Sequence, residues 1–181
     1  MKNGKIIITY TLITFIFLSC IRDRNDKHLV DSLQFVGQES WNARITIMKD
    51  DVKRADVSAG HLIKYDDRKI IILNQGVAVD FFDKYGNHTS YLESDSAEIN
   101  EKTNDMIAFG NVVVISDTGI TLFTNHLKWD NKIEKIISND DIILVTESDT
   151  LRGKGFESNT DLTEWVIKEP KGSIEKEIKA E

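Results

Sequence analysis

The residues best able to move protons or bind a metal at neutral pH are four histidines, His28, His61, His88 and His126, and they stand far apart. None belongs to an HExxH spacing, which would set two imidazoles on one helix face toward zinc. The chain has no GxSxG nucleophile elbow and no GxxxxGKS/T phosphate loop. Gly153-Lys154-Gly155 is a fragment without phosphate-binding context. The paired acids Asp50-Asp51, Asp66-Asp67 and Asp140-Asp141 could be drawn as calcium ligands. Asp also tolerates turn backbone and discourages edge pairing, and that reading explains all three pairs better. Asn87-His88-Thr89 matches a glycosylation sequon, which we read as chance. No catalytic residue, metal site or cofactor is expected. Nucleic acid is excluded as main partner, because 23 basic against 30 acidic residues give a net charge of −7 and no basic, aromatic-interleaved stripe occurs.

What the chain offers instead is apolar surface at strand spacing. Val77/Val79/Phe81, Ile107/Phe109, Val112/Val114 and Ile143/Val145 each place large side chains on one face of a strand, and Phe156 joins them as a candidate. Two readings stand side by side. These residues pack against an opposite sheet, or two sheets stay partly open and leave a groove suited to acyl chains, where each sheltered CH2 is worth about 0.8 kcal/mol.

The elements that must hold these residues are short runs of Ile, Val, Phe and Thr, broken by turn signals roughly every 8–12 residues. Turns are expected at Asp66-Asp67, Lys84–Asn87, Asp117–Gly119, Asp130-Asn131, Asn139–Asp141, Glu147–Asp149 and Asn159–Asp161. No stretch beyond residue 40 sustains a 3.6-residue apolar period, so the class is all-β. The pattern also repeats at an offset of about 30 residues. Leu92–Ala97 lies over Leu122–Leu127, and Val112–Ile115 over Ile142–Val145. Further copies start at Ser58 and Leu151, giving about four units, each expected as strand, turn, strand, turn and short strand. One unit cannot bury its apolar face alone, so neighbours stack and leave open sheet ends.

The amino terminus is of another kind. Lys2 and Lys5 precede thirteen mostly apolar residues, Ile6–Leu18, with no charge. This is a basic region and hydrophobic core of a secretory signal, shorter than the roughly 20 residues that span a bilayer. Ser19-Cys20 follows and resembles a bacterial lipobox, which would leave Cys20, the chain's single cysteine, lipidated at a new amino terminus. An uncleaved signal anchor is the other reading, and either tethers the domain outside the cytoplasm. The expected divisions are a signal peptide over 1–19, a tether over 20–40, a β domain over 41–172 and a polar tail over 173–181.

Over residues 41–172 the order and spacing of landmarks resemble the LptC family of lipopolysaccharide-export proteins. They are Trp41-Asn42, Ser58-Ala59 with Tyr65, Gly76-Val77 and Asp80–Asp83 with Gly86. Leu92, Asp95 and Ala97 follow, then Ala108–Val114 with Gly119, Leu122, Thr124, Leu127 and Trp129, and finally Leu151–Ser158 before Gly172. The resemblance implies a twisted, open antiparallel β-jellyroll whose hydrophobic groove shelters the acyl chains of lipopolysaccharide. It implies a non-enzymatic relay on the periplasmic face of the inner membrane, from an ATP-driven transporter to the periplasmic bridge protein, LptA. By analogy the strand carrying Trp41, Ile45 and Ile47 meets the transporter, and the strand carrying Trp165 and Ile167 meets the bridge. Familiar members hold a transmembrane helix where this chain has its lipobox. Two rivals from other classes are an envelope lipoprotein binding glycan or protein on the outside of its roll, and a cupin-type enzyme, against which the scattered histidines argue.

Overall fold

The computed structural model describes residues 36–172. The signal segment, Cys20 and the carboxy-terminal tail fall outside them. The β-branched runs form ten strands, with no helix among the described residues: β1 (Val36–Lys49), β2 (Val52–Tyr65), β3 (Ile70–Phe82), β4 (His88–Ser94), β5 (Ser96–Asn100), β6 (Met106–Ser116), β7 (Thr121–Asp130), β8 (Lys135–Val145), β9 (Thr150–Asn159) and β10 (Trp165–Lys171). All belong to one antiparallel sheet in which, β4 and β5 apart, each strand pairs with the next along the chain. β4 and β5 are two halves of one strand path, because both pair with β3 on one side and β6 on the other.

A sheet with one apolar face and no second sheet must fold onto itself, and bulges mark where it does. Between the last inward residue of one half-strand and the first of the next, β2 has two residues (Gly60, His61) and β7 has two (Asn125, His126). Their neighbours β3, β6 and β8 have three in the same place: Asn74–Gly76, Phe109–Asn111 and Asn139–Asp141. The pairing registers slip at these points. The unmatched residue is a β-bulge, which bends its strand and sharpens the twist. In the β3 and β6 bulges Gln75 (φ 62°), Gly76 (φ 81°), Gly110 (φ 73°) and Asn111 (φ 47°) take left-handed backbone, whereas no residue of Asn139–Asp141 does. Gly110 is needed for space as well, since a Cβ there would strike the Asp95 carboxylate.

The bulges align into a crease that divides the sheet into two facing halves. Half A holds the strand segments near the turns at 50–51, 83–87, 117–119 and 146–149, and half B those near the turns at 66–69, 101–105, 131–134 and 160–164. Beside the crease the inward residues are of mixed size: Ala43, Ala59 and Ser94 stand with Val77 and Val112 in half A, and Ala97 and Ala108 with Leu62, Leu73 and Leu127 in half B. Farther out, where the halves diverge, stand Phe81, Met106, Trp129 and Leu162, each 2% exposed or less. Phe81 of half A meets Trp129 of half B edge to face, centroids 5.2 Å apart. The core is one contiguous cluster with large side chains where there is room for them.

The architecture is the expected all-β jellyroll, with three differences in detail. Asn139–Asp141, read as a turn, is the bulge inside β8. The repeat is two long bent strands rather than three short ones, because bulge residues carry the same Asn, Asp and Gly signature as turns. β1 starts at Val36, so the tether expected to reach residue 40 stops short of it. The polar segment Gln38–Ser40 is drawn into the sheet by register with Leu62–Lys64. If the facing is as described, Leu92→Ala loses about 2–5 kcal/mol of unfolding free energy in urea, and Phe123→Ala on the outer face loses under about 1 kcal/mol. Equal losses would refute this assignment of faces.

Candidate functional site

The inward face is organised as rows running across the strands. In half A, Ile45, Val57, Val79, Leu92, Val114, Leu122, Leu144 and Leu151 stand opposite one another from β1 to β9. At about 4.8 Å per strand step the ends of this row lie on the order of 30 Å apart. In half B, Ile71, Ile99, Met106, Trp129, Ile136, Ser158 and Trp165 make a second row that ends on β10. The middle of the roll is packed with the chain's own side chains. Its two rims are not. Ala43 and Ile45 at one end, and Leu151, Trp165 and Ile167 at the other, are only partly buried against the core. At the rims β1 pairs only with β2, and β10 only with β9, so each offers an unpaired backbone edge.

Of the residues expected to line the interior, Val77, Val79, Phe81, Val112, Val114 and Phe156 are there, each 3% exposed or less. Ile107, Phe109, Ile143 and Val145 are not. All four point to the outer face and are half-buried. In β6 the smaller Ala108 faces inward, in register with the inward Ala97 and Leu127, and Phe109 packs outside against His126, centroids 5.5 Å apart. In β8 the run Ile142–Val145 is apolar on both faces, and pairing of Leu144 with Leu122 decides which alternate set goes in. Ile143 and Val145 instead join the exposed Ile115 and Phe123 in an outer apolar patch. Ile45 and Ile47 on β1, and Trp165 and Ile167 on β10, lie on the two edge strands and face the core. Trp41 is also on β1 but is 61% exposed and stacks on His61. Cys20 lies outside the described residues.

No local pattern of residues announces a second feature, the mouth opposite the crease. There the free ends of the half-sheets meet with no strand pairing across them among the described residues. Side chains make the link. Arg54 on β2, 7% exposed, donates from Nη1 to Glu134 Oε1 at 2.9 Å and lies 2.8 Å from Oε2 through Nη2. Lys49 Nζ donates to the same Oε1 at 2.9 Å and to the Asn131 carbonyl at 3.2 Å. Farther along, Ser90 donates to the Thr160 carbonyl at 2.6 Å, and Leu162 of that turn is fully buried. These residues lack a sequence signal because each is a lone charge or hydroxyl beside a turn, and only the fold brings residue 54 to residue 134.

A third feature lies at the crease, a depression of about 610 Å³ bordered by the outward residues Arg44, Ser58, Ala78 and Glu93. Gly60 and Gly76 lie in its wall, and Asp95 and Asn111 add polar groups.

Hydrogen bonding from Arg54, then from Lys49, holds the Glu134 carboxyl down at about 2 against the opposing effect of burial. A carboxylate depressed on folding contributes stability that is complete above its unfolded pKa and disappears as pH falls through the folded one. The clasp is therefore intact at neutral pH and fails between about pH 4.5 and 2. Thermal melts of Glu134→Gln followed by circular dichroism should lose part of the wild-type decline over that interval. A decline identical to wild type would remove Glu134 from the linkage.

Among curated proteins none matches the chain. The family described as OstA-like protein matches residues 44–162, from within β1 to the β9–β10 turn. It is a transport and binding family with the lipopolysaccharide-transport fold, not an enzymatic one. With that match covering most of the jellyroll, the chain belongs to the OstA-like protein family, which is associated with lipopolysaccharide and lipid transport.

Proposed function

We propose that this protein is the LptC-type component of lipopolysaccharide export, a non-enzymatic relay that shelters lipid A acyl chains inside its roll. In this reading it receives lipopolysaccharide from the inner-membrane ATP-driven transporter and passes it to the periplasmic bridge protein LptA. It is held at the periplasmic face of the inner membrane by a lipidated Cys20 or by an uncleaved amino-terminal segment. The observation that carries the reading is the apolar row from Ile45 to Leu151, which crosses the sheet without a break and reaches both rims. An apolar interior built only for stability is best served by closed ends, since exposed apolar rims and unpaired strands invite aggregation. Rims left open beside free backbone edges suit a different end: docking of similar rolls by strand addition, so that one apolar interior continues into the next. Trp41, Ile45 and Ile47 would then mark the transporter side, and Trp165 and Ile167 the bridge side.

A second reading, an envelope lipoprotein binding glycan or protein on the outside of its roll, draws support from the polar depression at the crease and the outer patch around Phe123. One experiment separates the two. A photo-crosslinking amino acid at Ile45 or Ile167, both half-buried and inward, should capture lipopolysaccharide in cells. The same group at Phe109 or Ile143 on the outer face should capture none. The reverse pattern would favour the outer-surface reading, and adducts at none of the four sites would defeat the relay.

A further inference from the structure

Resting on the relay reading, a question of access follows from the packing. Phe81, Leu92, Leu122, Leu144, Phe156 and Leu162 are each buried to within 2% of completely, so the closed roll has no slot for an acyl chain. The half-sheets must part to admit one. The crease side is tied by every strand that runs through it, whereas the mouth is tied by side chains. Parting at the mouth breaks few bonds.

The chemistry of those bonds is specific. Two cations, Lys49 and Arg54, share one carboxylate, Glu134, in a depression that Asp83, Lys84 and Asp161 also line. Arg54 is desolvated, so it cannot give up Glu134 without another anion, because an uncompensated buried guanidinium is strongly unfavourable. A phosphate suits the exchange, since it takes the same bidentate geometry from Arg and carries more charge than a carboxylate. The closed state is also imperfect at this spot. Asn131 Oδ1, in the turn that holds Glu134, is buried without a hydrogen-bond partner in the protein.

We propose that Lys49, Arg54 and Glu134 form a clasp on the lateral mouth of the roll. A phosphorylated, acylated amphiphile opens it by taking the two cations from Glu134 while its acyl chains enter between the half-sheets. The clasp makes admission selective for ligands that carry both an anion and hydrocarbon, and it returns the roll to its packed state when the ligand leaves.

The test uses the full chain carrying Trp41→Phe and Trp165→Phe, which leaves Trp129 as the single tryptophan of the three. Its emission is followed in stopped flow against lipid A with brominated acyl chains, either bis-phosphorylated or dephosphorylated. The phosphorylated ligand should quench Trp129 about tenfold faster, the scale of one charge-assisted hydrogen bond. Arg54→Met with Glu134→Met replaces the pair by apolar side chains, so the fold is not left with a buried unpaired charge. In that variant both ligands should quench fast and at equal rates. Equal rates for the two ligands in the clasped protein, or an unchanged preference in the double variant, would overturn the clasp and leave the relay standing. No quenching by either ligand in either protein would overturn both.

Discussion

A lone antiparallel sheet with one apolar face has nothing to cover that face except itself. The fold of this protein follows from that constraint. Strands of 14, 14 and 13 residues open the sheet, long enough to bend in the middle and contribute to two facing halves. The bend needs one extra residue on alternate strands, taken up at Gln75-Gly76, at Gly110-Asn111 and within Asn139–Asp141, the first two in left-handed backbone. Small and large inward residues mix along the crease, and Phe81, Met106, Trp129 and Leu162 fill the space farther out.

Folding a sheet this way closes one side and leaves three openings of different character. The two rims are bounded by unpaired strands and half-covered apolar side chains, and their backbone groups can pair with another sheet. Proteins that do not use such edges usually blunt them with charge, proline or a covering segment. Here Pro170 interrupts one end of β10 and Asn42 kinks β1, yet most of each edge stays available. The lateral mouth differs, being held by an ion cluster and a single hydroxyl-to-carbonyl bond. Hydrophobic packing keeps the roll together, and electrostatics sets how readily it opens. Those two contributions respond to different ligands, one to acyl chain and the other to anion.

Much of the fold was legible in the residues. The β-branched runs, the turn punctuation and the thirty-residue echo between Leu92–Ala97 and Leu122–Leu127 are local signals, and the strands formed where they lie. Faces were less legible. Alternation places residues on two sides of a strand but does not say which side is inside when both are apolar, as in Ile142–Val145, or when a bulge intervenes, as at Gly110. Choosing the larger residue pointed to Phe109, whereas register with Ala97 and Leu127 turned Ala108 inward. The β8 bulge, Asn139–Asp141, looked like a turn, since Asn and Asp are common in both.

By itself the sequence determined the class of structure and where most of its strands and turns lie. These depend on composition and on neighbours within a few residues. Tertiary structure alone decided which alternate side chains face inward, how tightly the interior fills, and that Arg54 finds its carboxylate eighty residues away. The physical reason is range. Propensity and alternation act along the chain, whereas facing, filling and ion pairing depend on how far each strand travels past its bulge before it meets the opposite half.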